Sequence, residues 1–472
     1  MEETGKKPSI LMALAVFFVP VSIILYGTAV LKIGAILPLI IATVVACLFG
    51  KFFGYSWDEL QTGMMESISR VMIAILILIV VGMLIGVWIL SGTIPTIIYW
   101  GLQLIAPTSF LMTAFLICVI ASTATGTSFG TMGTVGVALL GVGQALGYPL
   151  PMVVGAIVSG AYFGDKMSPV SDSTNITASV CEVELFPHIA SMMWTTIPAA
   201  VVSALLYLLL GIQHSAATTT GAIPVILQAL SSKFNLSLWT LLPPVLMIIF
   251  AYRKMPALPL LILCVAVGAL EAWLLQGCGL KEITQSLMSG YASKTGVKQV
   301  DVLLSRGGIN SVMGTIVLLT AGVAFGGVLE KTRTLEVLLQ AIVTWARSTG
   351  RLILSVLLAG YIILLGTGSQ MVSVIIPGRA FVPVFKNRGI HLRVLSRTCE
   401  DGGTIGCPLI PWSVHAFYIL GVLGVSAYDF APYAFLNWIV PLFSIFYGYT
   451  GFAIWRTDGT PLRQSPAAGL KA

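Results

Sequence analysis

The chain has 472 residues, of which 57% are hydrophobic and 9% charged, with a mean hydropathy of +0.97. Soluble domains carry about 25% charged residues, so this composition excludes an ordinary soluble protein and describes an all-α polytopic membrane protein built as one membrane domain. The net charge of +7 reads as a topology signal, because Lys and Arg gather in cytoplasmic loops, and no nucleic-acid partner is expected.

Lys6 and Lys7 precede an apolar run from Ile10 to Leu25. The run is long, contains Pro20 and lacks a small-residue cleavage site, so it is expected to stay as the first membrane helix rather than be removed as a signal peptide. Apolar spans follow near 33–50, 71–90, 108–124, 130–147, 150–180 (interrupted) and 188–211. A polar, Thr-rich stretch at 212–236 reads as an external linker. Spans then recur near 238–252, 256–275, 311–330, 352–366, 370–386, 390–424 (interrupted) and 432–455, with a cytoplasmic tail at 457–472. The seven cysteines form no CxxC and several lie in apolar spans, so neither a disulfide framework nor a zinc site is indicated.

The same order of spans appears twice, dividing the chain into repeats at 1–211 and 237–456. Gly82, Gly86 and Gly126 map onto Gly322, Gly326 and Gly366, Asp165 onto Asp401, and Pro187, Trp194 and Pro198 onto Pro432, Trp438 and Pro441. Amphipathic connectors around Asp58-Glu59 and Lys281-Glu282 echo each other too. If 108–147 and 352–387 are re-entrant hairpins, each half has five crossings and the second is inverted. Lys6, Lys7, Lys51, Arg70, Arg253, Lys254, Arg388, Arg393, Arg397 and Arg456 then share the cytoplasmic side with both termini, and few basic residues remain outside. Inverted repeats with discontinuous helices are a common plan of secondary transporters, with the site near the midplane at the repeat interface.

Ser159 to Ile176, SGAYFGDKMSPVSDSTNI, is the most informative stretch. It places Asp165, Lys166 and Asp172 inside an apolar region, is expected to break the helix with Gly164 and Pro169, and offers oxygens at Ser168, Ser171, Ser173, Thr174 and Asn175. Ionisable residues and non-helical backbone at membrane depth mark ion or substrate sites. The first hairpin tip, Thr125-Gly126-Thr127-Ser128, and the second, Gly366-Thr367-Gly368-Ser369-Gln370, add hydroxyl and carbonyl oxygens suited to an alkali cation. In the second half, Glu400-Asp401-Gly402-Gly403-Thr404 and Pro408 repeat the acidic break. Arg379 is placed to neutralise one carboxylate, Asp172 to cap the resuming helix. His415 is either a proton relay or a packed residue. Asp165, Asp172, Asp401 and Glu400 are therefore the candidates for proton and cation coupling. Thr127, Ser128, Lys166, Ser168, Asn175, Ser369 and Thr404 are candidates for binding cation or substrate, with Na+ expected near Thr127, Asp165 and Asp401.

TGTSFGTMGT at 125–134, apart from its first Thr, and GAYFGDKMSPVSDSTN at 160–175 resemble the signature of the NhaC family of Na+/H+ antiporters, and EDGGT with PLIPW at 400–412 is similar as well. The resemblance covers nearly the whole chain and implies a prokaryotic inner-membrane transporter, built from inverted repeats, that exchanges Na+ for H+ without a cofactor. Proteins resembling malate/lactate exchangers also fall in the family, so an exchanger of small organic anions coupled to Na+ or H+ is the alternative, with Lys166, Arg379 or the hairpin amides holding the carboxylate. A homodimer is compatible with either reading. Phe129 stands where the family usually has Trp, Ser413 where it has Asn, and His415 where it has small residues. A GxGD intramembrane protease is disfavoured, since Tyr162-Phe163-Gly164-Asp165 lacks the first glycine, and there is no HExxH or P-loop.

Overall fold

The computed structural model describes residues 7–215, 222–253 and 255–462. Their regular structure is helical, apart from two isolated bridges, Ile390 with Arg456 and Trp455 with Pro461. This is the expected consequence of the composition, because an apolar solvent forces each segment to pair its own backbone groups. Among the described residues seven helices are long and apolar enough to cross a membrane, or up to ten if each of three bent pairs counts as one span. The chain is a polytopic membrane protein.

In the first half, Ile10–Leu25 and Ile36–Phe52 lead to an amphipathic helix, Trp57–Arg70, then Met72–Leu90 and Thr93–Leu104. A hairpin follows, with one arm Phe110–Thr125 and the other spanning 128–145. The first broken helix is Leu150–Met167 resuming as Asp172–Val180, and Leu185–Ser215 completes the half. The second half repeats this order: Leu242–Tyr252, Ala257–Leu274, amphipathic Leu280–Ser289, Ile309–Lys331, Thr334–Trp345, and a hairpin of Thr349–Thr367 and Gln370–Asn387. The second broken helix starts as Leu392–Cys399, passes through a π-turn at Glu400–Thr404, and resumes as Val414–Leu423 before Phe435–Thr450. The expected linker at 212–236 is structured where it is described: Leu185–Ser215 extends into it and Ala222–Lys233 is a helix. Residues 216–221, and the tail from 463 onward, lie outside the described residues.

The halves exchange partners. Trp57–Arg70 packs on Ile309–Lys331, and Leu280–Ser289 packs on Met72–Leu90. Both crossings use glycine for backbone approach: a Cβ on Gly63 would lie 2.9 Å from the Gly327 carbonyl oxygen, and one on Gly86 would lie 2.4 Å from that of Ser286.

Matched contacts correct the repeat register. Gly126 and Gly368 both end a hairpin arm in the left-handed conformation, at φ 70° and 63°. A Cβ on the first would strike Val170 and Ser171, on the second Trp412 and Ser413. Gly160 packs against Phe115 as Gly402 packs against Leu357. Each matched pair lies 242 positions apart. Gly126 therefore corresponds to Gly368 rather than Gly366, and Asp165 to Cys407 rather than Asp401. Asp401 sits one and a half turns earlier on its helix.

The first broken helix parts at Ser168–Ser171, where Ser168 is extended (ψ 132°) before Pro169, which has no N–H to donate. Gly164 does not break it. That residue stays helical and brings the hairpin close, its N–H donating to Ser122 Oγ at 3.0 Å. A Cβ there would lie 2.0 Å from that oxygen and 2.1 Å from the Thr123 nitrogen. Gly164→Ala is expected to push the hairpin from the broken helix at a cost of about 1–3 kcal/mol. A lowered melting midpoint of the purified variant, with Gly314→Ala as the control in open space, checks this.

Candidate functional site

The helix break leaves Asp165 at the end of a helical arm, facing the tip of the first hairpin. Ser128 Oγ donates to its Oδ2 at 2.6 Å, and Ser171 Oγ, from beyond the break, donates to Oδ1 at 2.8 Å. Ser173 and Thr174 hydroxyls donate to the Asp165 carbonyl at 3.3 and 3.2 Å, holding the two arms together. Charge-assisted donors of this kind hold a carboxylate in one orientation. Asp165 opens onto a vestibule of ≈ 930 Å³, with Asp172, Asn175, Gln370 and His415 also on its wall. Arg70 is the basic residue of that wall, and it is committed to Glu330 at 2.5 Å and Ser67 at 2.7 Å.

A second polar cluster lies deeper. Lys166 Nζ is in contact with Asp401 Oδ1, both side chains 0% exposed. The ammonium also donates to Thr196 Oγ1 at 2.8 Å and Thr195 Oγ1 at 3.4 Å, and Thr195 donates to the same Asp401 oxygen at 2.9 Å. Glu400, also fully buried, accepts from Thr177 Oγ1 at 2.7 Å. Asp401 Oδ2 and Glu400 Oε2 have no hydrogen-bond partner among the described residues. In this cluster the two broken helices are joined by one ion pair and one hydroxyl–carboxylate bond, with Leu185–Ser215 supplying Thr195 and Thr196.

This chain matches the Na+/H+ antiporter family over residues 160–452. It is 36% identical over 450 residues to "Na(+)/H(+) antiporter NhaC" of Alkalihalophilus pseudofirmus, covering 95% of this chain and 97% of that protein. The NhaC of Bacillus subtilis is 35% identical over 449 residues, covering 95% of this chain and 99% of that protein. The "Malate-2H(+)/Na(+)-lactate antiporter" of the same organism is 36% identical over 457 residues, covering 97% and 98%. The chain belongs to the Na+/H+ antiporter family.

Within this antiporter-family chain the predicted residues fall into two groups rather than one. Asp165, Ser128 and Asp172 meet at the vestibule, and Thr127 stands beside them as the N-cap of the second arm, accepting from Gly130 N at 3.3 Å. Asp401 is not on the vestibule, so a single cation seat at Thr127, Asp165 and Asp401 does not form. Lys166 points away from the vestibule into the ion pair, and Arg379 is exposed with no ion pair among the described residues, so neither is placed to hold a solute carboxylate or to neutralise an acid of the site. Glu400 takes Thr177, not Arg379.

Other predicted ligands prove to be fastenings. Ser168 Oγ donates to the Thr123 carbonyl at 2.8 Å, tying the break to the hairpin. Asn175 Nδ2 donates to the carbonyls of Ser171 at 2.7 Å and Pro169 at 2.9 Å. Ser369 caps Gln370–Asn387, and Thr404 accepts from Gln370 Nε2 at 3.1 Å. Asp172 opens the resumed helix, but that helix has Ser171 as its N-cap. Sequence reasoning passed over Thr177, Thr195 and Thr196, whose only signal is a hydroxyl within an apolar run. Phe129 and His415, two of the departures from the family pattern, are in contact, with ring centroids 4.5 Å apart. Among the described residues no three His, Cys, Asp or Glu side chains converge as a metal cluster.

Proposed function

We propose that this chain is a secondary active transporter that exchanges Na+ for H+ at Asp165, in a prokaryotic plasma membrane with both termini cytoplasmic. The observation that carries it is a carboxylate held by two hydroxyls at a helix break, open on one side to the vestibule. A carboxylate in that setting takes either a proton or a cation, because each neutralises the same charge. Competition for one group is sufficient for antiport. Two acids on the vestibule wall, against one arginine already paired with Glu330, favour a cation as the solute. The Lys166–Asp401 pair, bridging the two broken helices, is the contact through which occupancy at Asp165 is sensed by the second half. Five crossings per half and an inverted second repeat are part of this reading, supported by the reciprocal packing of the amphipathic helices.

A second reading is exchange of small organic anions coupled to Na+ or H+. It is favoured by the ≈ 930 Å³ of the vestibule, ample for a small acid, and by the likeness to the malate/lactate antiporter. Proteoliposomes with an interior pH-sensitive dye separate the two. Proton movement on adding Na+ or Li+ alone is the expected result, and proton movement only when malate or lactate is supplied would replace the first reading by the second.

A further inference from the structure

One turn before Asp165, the Tyr162 hydroxyl is hydrogen-bonded to His415 Nδ1 on the resumed arm of the second broken helix. Both side chains are buried. The opposite flank of the imidazole meets Phe129, which stacks on Tyr418 at 4.1 Å, and the Tyr418 hydroxyl donates to the Phe129 carbonyl at 2.7 Å. Packing alone would be satisfied by an apolar ring. It does not account for the position of His415 on the wall of the same vestibule as Asp165. Nor does it account for Tyr162, which lies within electrostatic reach of both Ser128 and Asp165. Two hydrogen bonds, imidazole to phenol and hydroxyl to carboxylate, thus lie one helical turn apart between the cavity wall and the acid read above as the exchange site.

We propose that His415 carries protons between the vestibule and Asp165 by way of the Tyr162 and Ser128 hydroxyls, so that proton and cation reach the carboxylate by different routes. The inference rests on the reading of Asp165 as the exchanging acid. The imidazolium gives its Nδ1 proton to Tyr162 Oη as the Tyr162 proton passes to Ser128 Oγ and the Ser128 proton to Asp165 Oδ2. The imidazole ends neutral, the carboxyl ends protonated, and both hydroxyls are restored. Vestibule water then recharges the ring. Oδ1, on the Ser171 side, is left to the cation.

Histidine suits this end of the series because an imidazole has two nitrogens, one to take up a proton and one to release it. The groups around it are Tyr162 and Asp165 from the first broken helix, Ser128 and Phe129 from the first hairpin, and Gln370 and Met371 from the second hairpin. Cys407 lies before its own helix, and Tyr418 lies on that helix. The charged groups sharing the cavity are Asp165, Asp172 and Arg70.

The test compares two fluxes in proteoliposomes of wild type, His415→Gln and Tyr162→Phe. One is isotopic Na+/Na+ exchange, which needs no proton step; the other is Na+-driven proton flux. In both variants the ratio of proton flux to Na+/Na+ exchange is expected to fall about tenfold or more. An unchanged ratio would overturn the proposal, as would a parallel fall of both fluxes, which is the mark of packing alone. Tyr162→Phe keeps the ring and its contacts, so it reads the relay even if His415→Gln folds poorly. Absence of Na+/Na+ exchange in wild type would sink the Asp165 reading first, and this inference with it.

Discussion

Asp165→Asn is expected to cut Na+-driven proton flux at least about a hundredfold, the scale on which a positioned proton-transferring group acts. An amide keeps the shape of the side chain and accepts from one of the two serines through its oxygen, while the other serine hydroxyl turns to accept from the NH2 group, but it neither releases a proton nor carries the charge a cation neutralises. The variant should therefore fold and insert like wild type, and isotopic Na+/Na+ exchange should vanish together with the proton flux. Asp172→Asn is the informative companion. Asp172 is exposed on the same vestibule, where its charge is solvated and attracts cations without holding one, so a loss of only two- to threefold is expected from a weak surface electrostatic effect. Equal losses in the two variants would move the exchange site out to the vestibule mouth. More than about a tenth of the wild-type flux in Asp165→Asn would remove Asp165 from the reaction.

The hydroxyls give the same argument a graded form. Ser128 and Ser171 hold opposite oxygens of Asp165, and a hydrogen bond to a charged group contributes about 1.5–3 kcal/mol. Either serine turned to alanine should then raise the Na+ concentration needed for half-maximal flux by about tenfold or more, whereas Ser168→Ala, which loosens only a tie to the Thr123 carbonyl, should act mainly on stability.

Asp165 was legible because sequence shows chemistry that does not belong in lipid. An acid beside Gly, Ser and Pro in an apolar run stands out with no knowledge of its neighbours, and so does a hairpin tip written in Thr, Gly and Ser. The long helices and their order were legible for the same reason. The wiring was not. Lys166 and Asp401 are 235 positions apart, and nothing in either local sequence says that they touch. Matching the halves by residue type, acid to acid and glycine to nearby glycine, set Asp165 against Asp401, whereas the glycines that make the same contacts in both halves set it against Cys407. The error has a physical source: Gly160 and Gly402 hold positions that the backbone demands in both halves, while acids are free to differ because only one half need carry the exchanging group. Gly164 was taken for a helix breaker because glycine in a helix costs stability, yet here that cost is offset by an approach no larger residue permits.

Lys166→Met and Asp401→Asn, singly, are expected to destabilise the protein strongly, and together to restore much of what each removes. The pair is wholly buried, and removing one partner leaves the other charge with no counterpart in a medium that solvates it poorly, a loss of about 3–5 kcal/mol. In Asp401→Asn the ammonium keeps the Thr195 and Thr196 hydroxyls and an amide oxygen, but loses its ion-pair partner. In Lys166→Met the carboxylate keeps only Thr195, with Oδ2 already lacking a partner. The double variant buries neither charge, so its melting midpoint should lie well above those of the singles, with a coupling of up to about 3 kcal/mol in the cycle. Transport should not follow stability. If the pair links the two halves, the double variant is stable yet exchanges poorly, because an apolar and an amide side chain cannot register a charge arriving at Asp165 one residue away. If it exchanges as wild type does, the pair serves only to fasten the broken helices together, and the coupling must be sought at the other bonds between them, Thr177–Glu400 and Tyr162–His415.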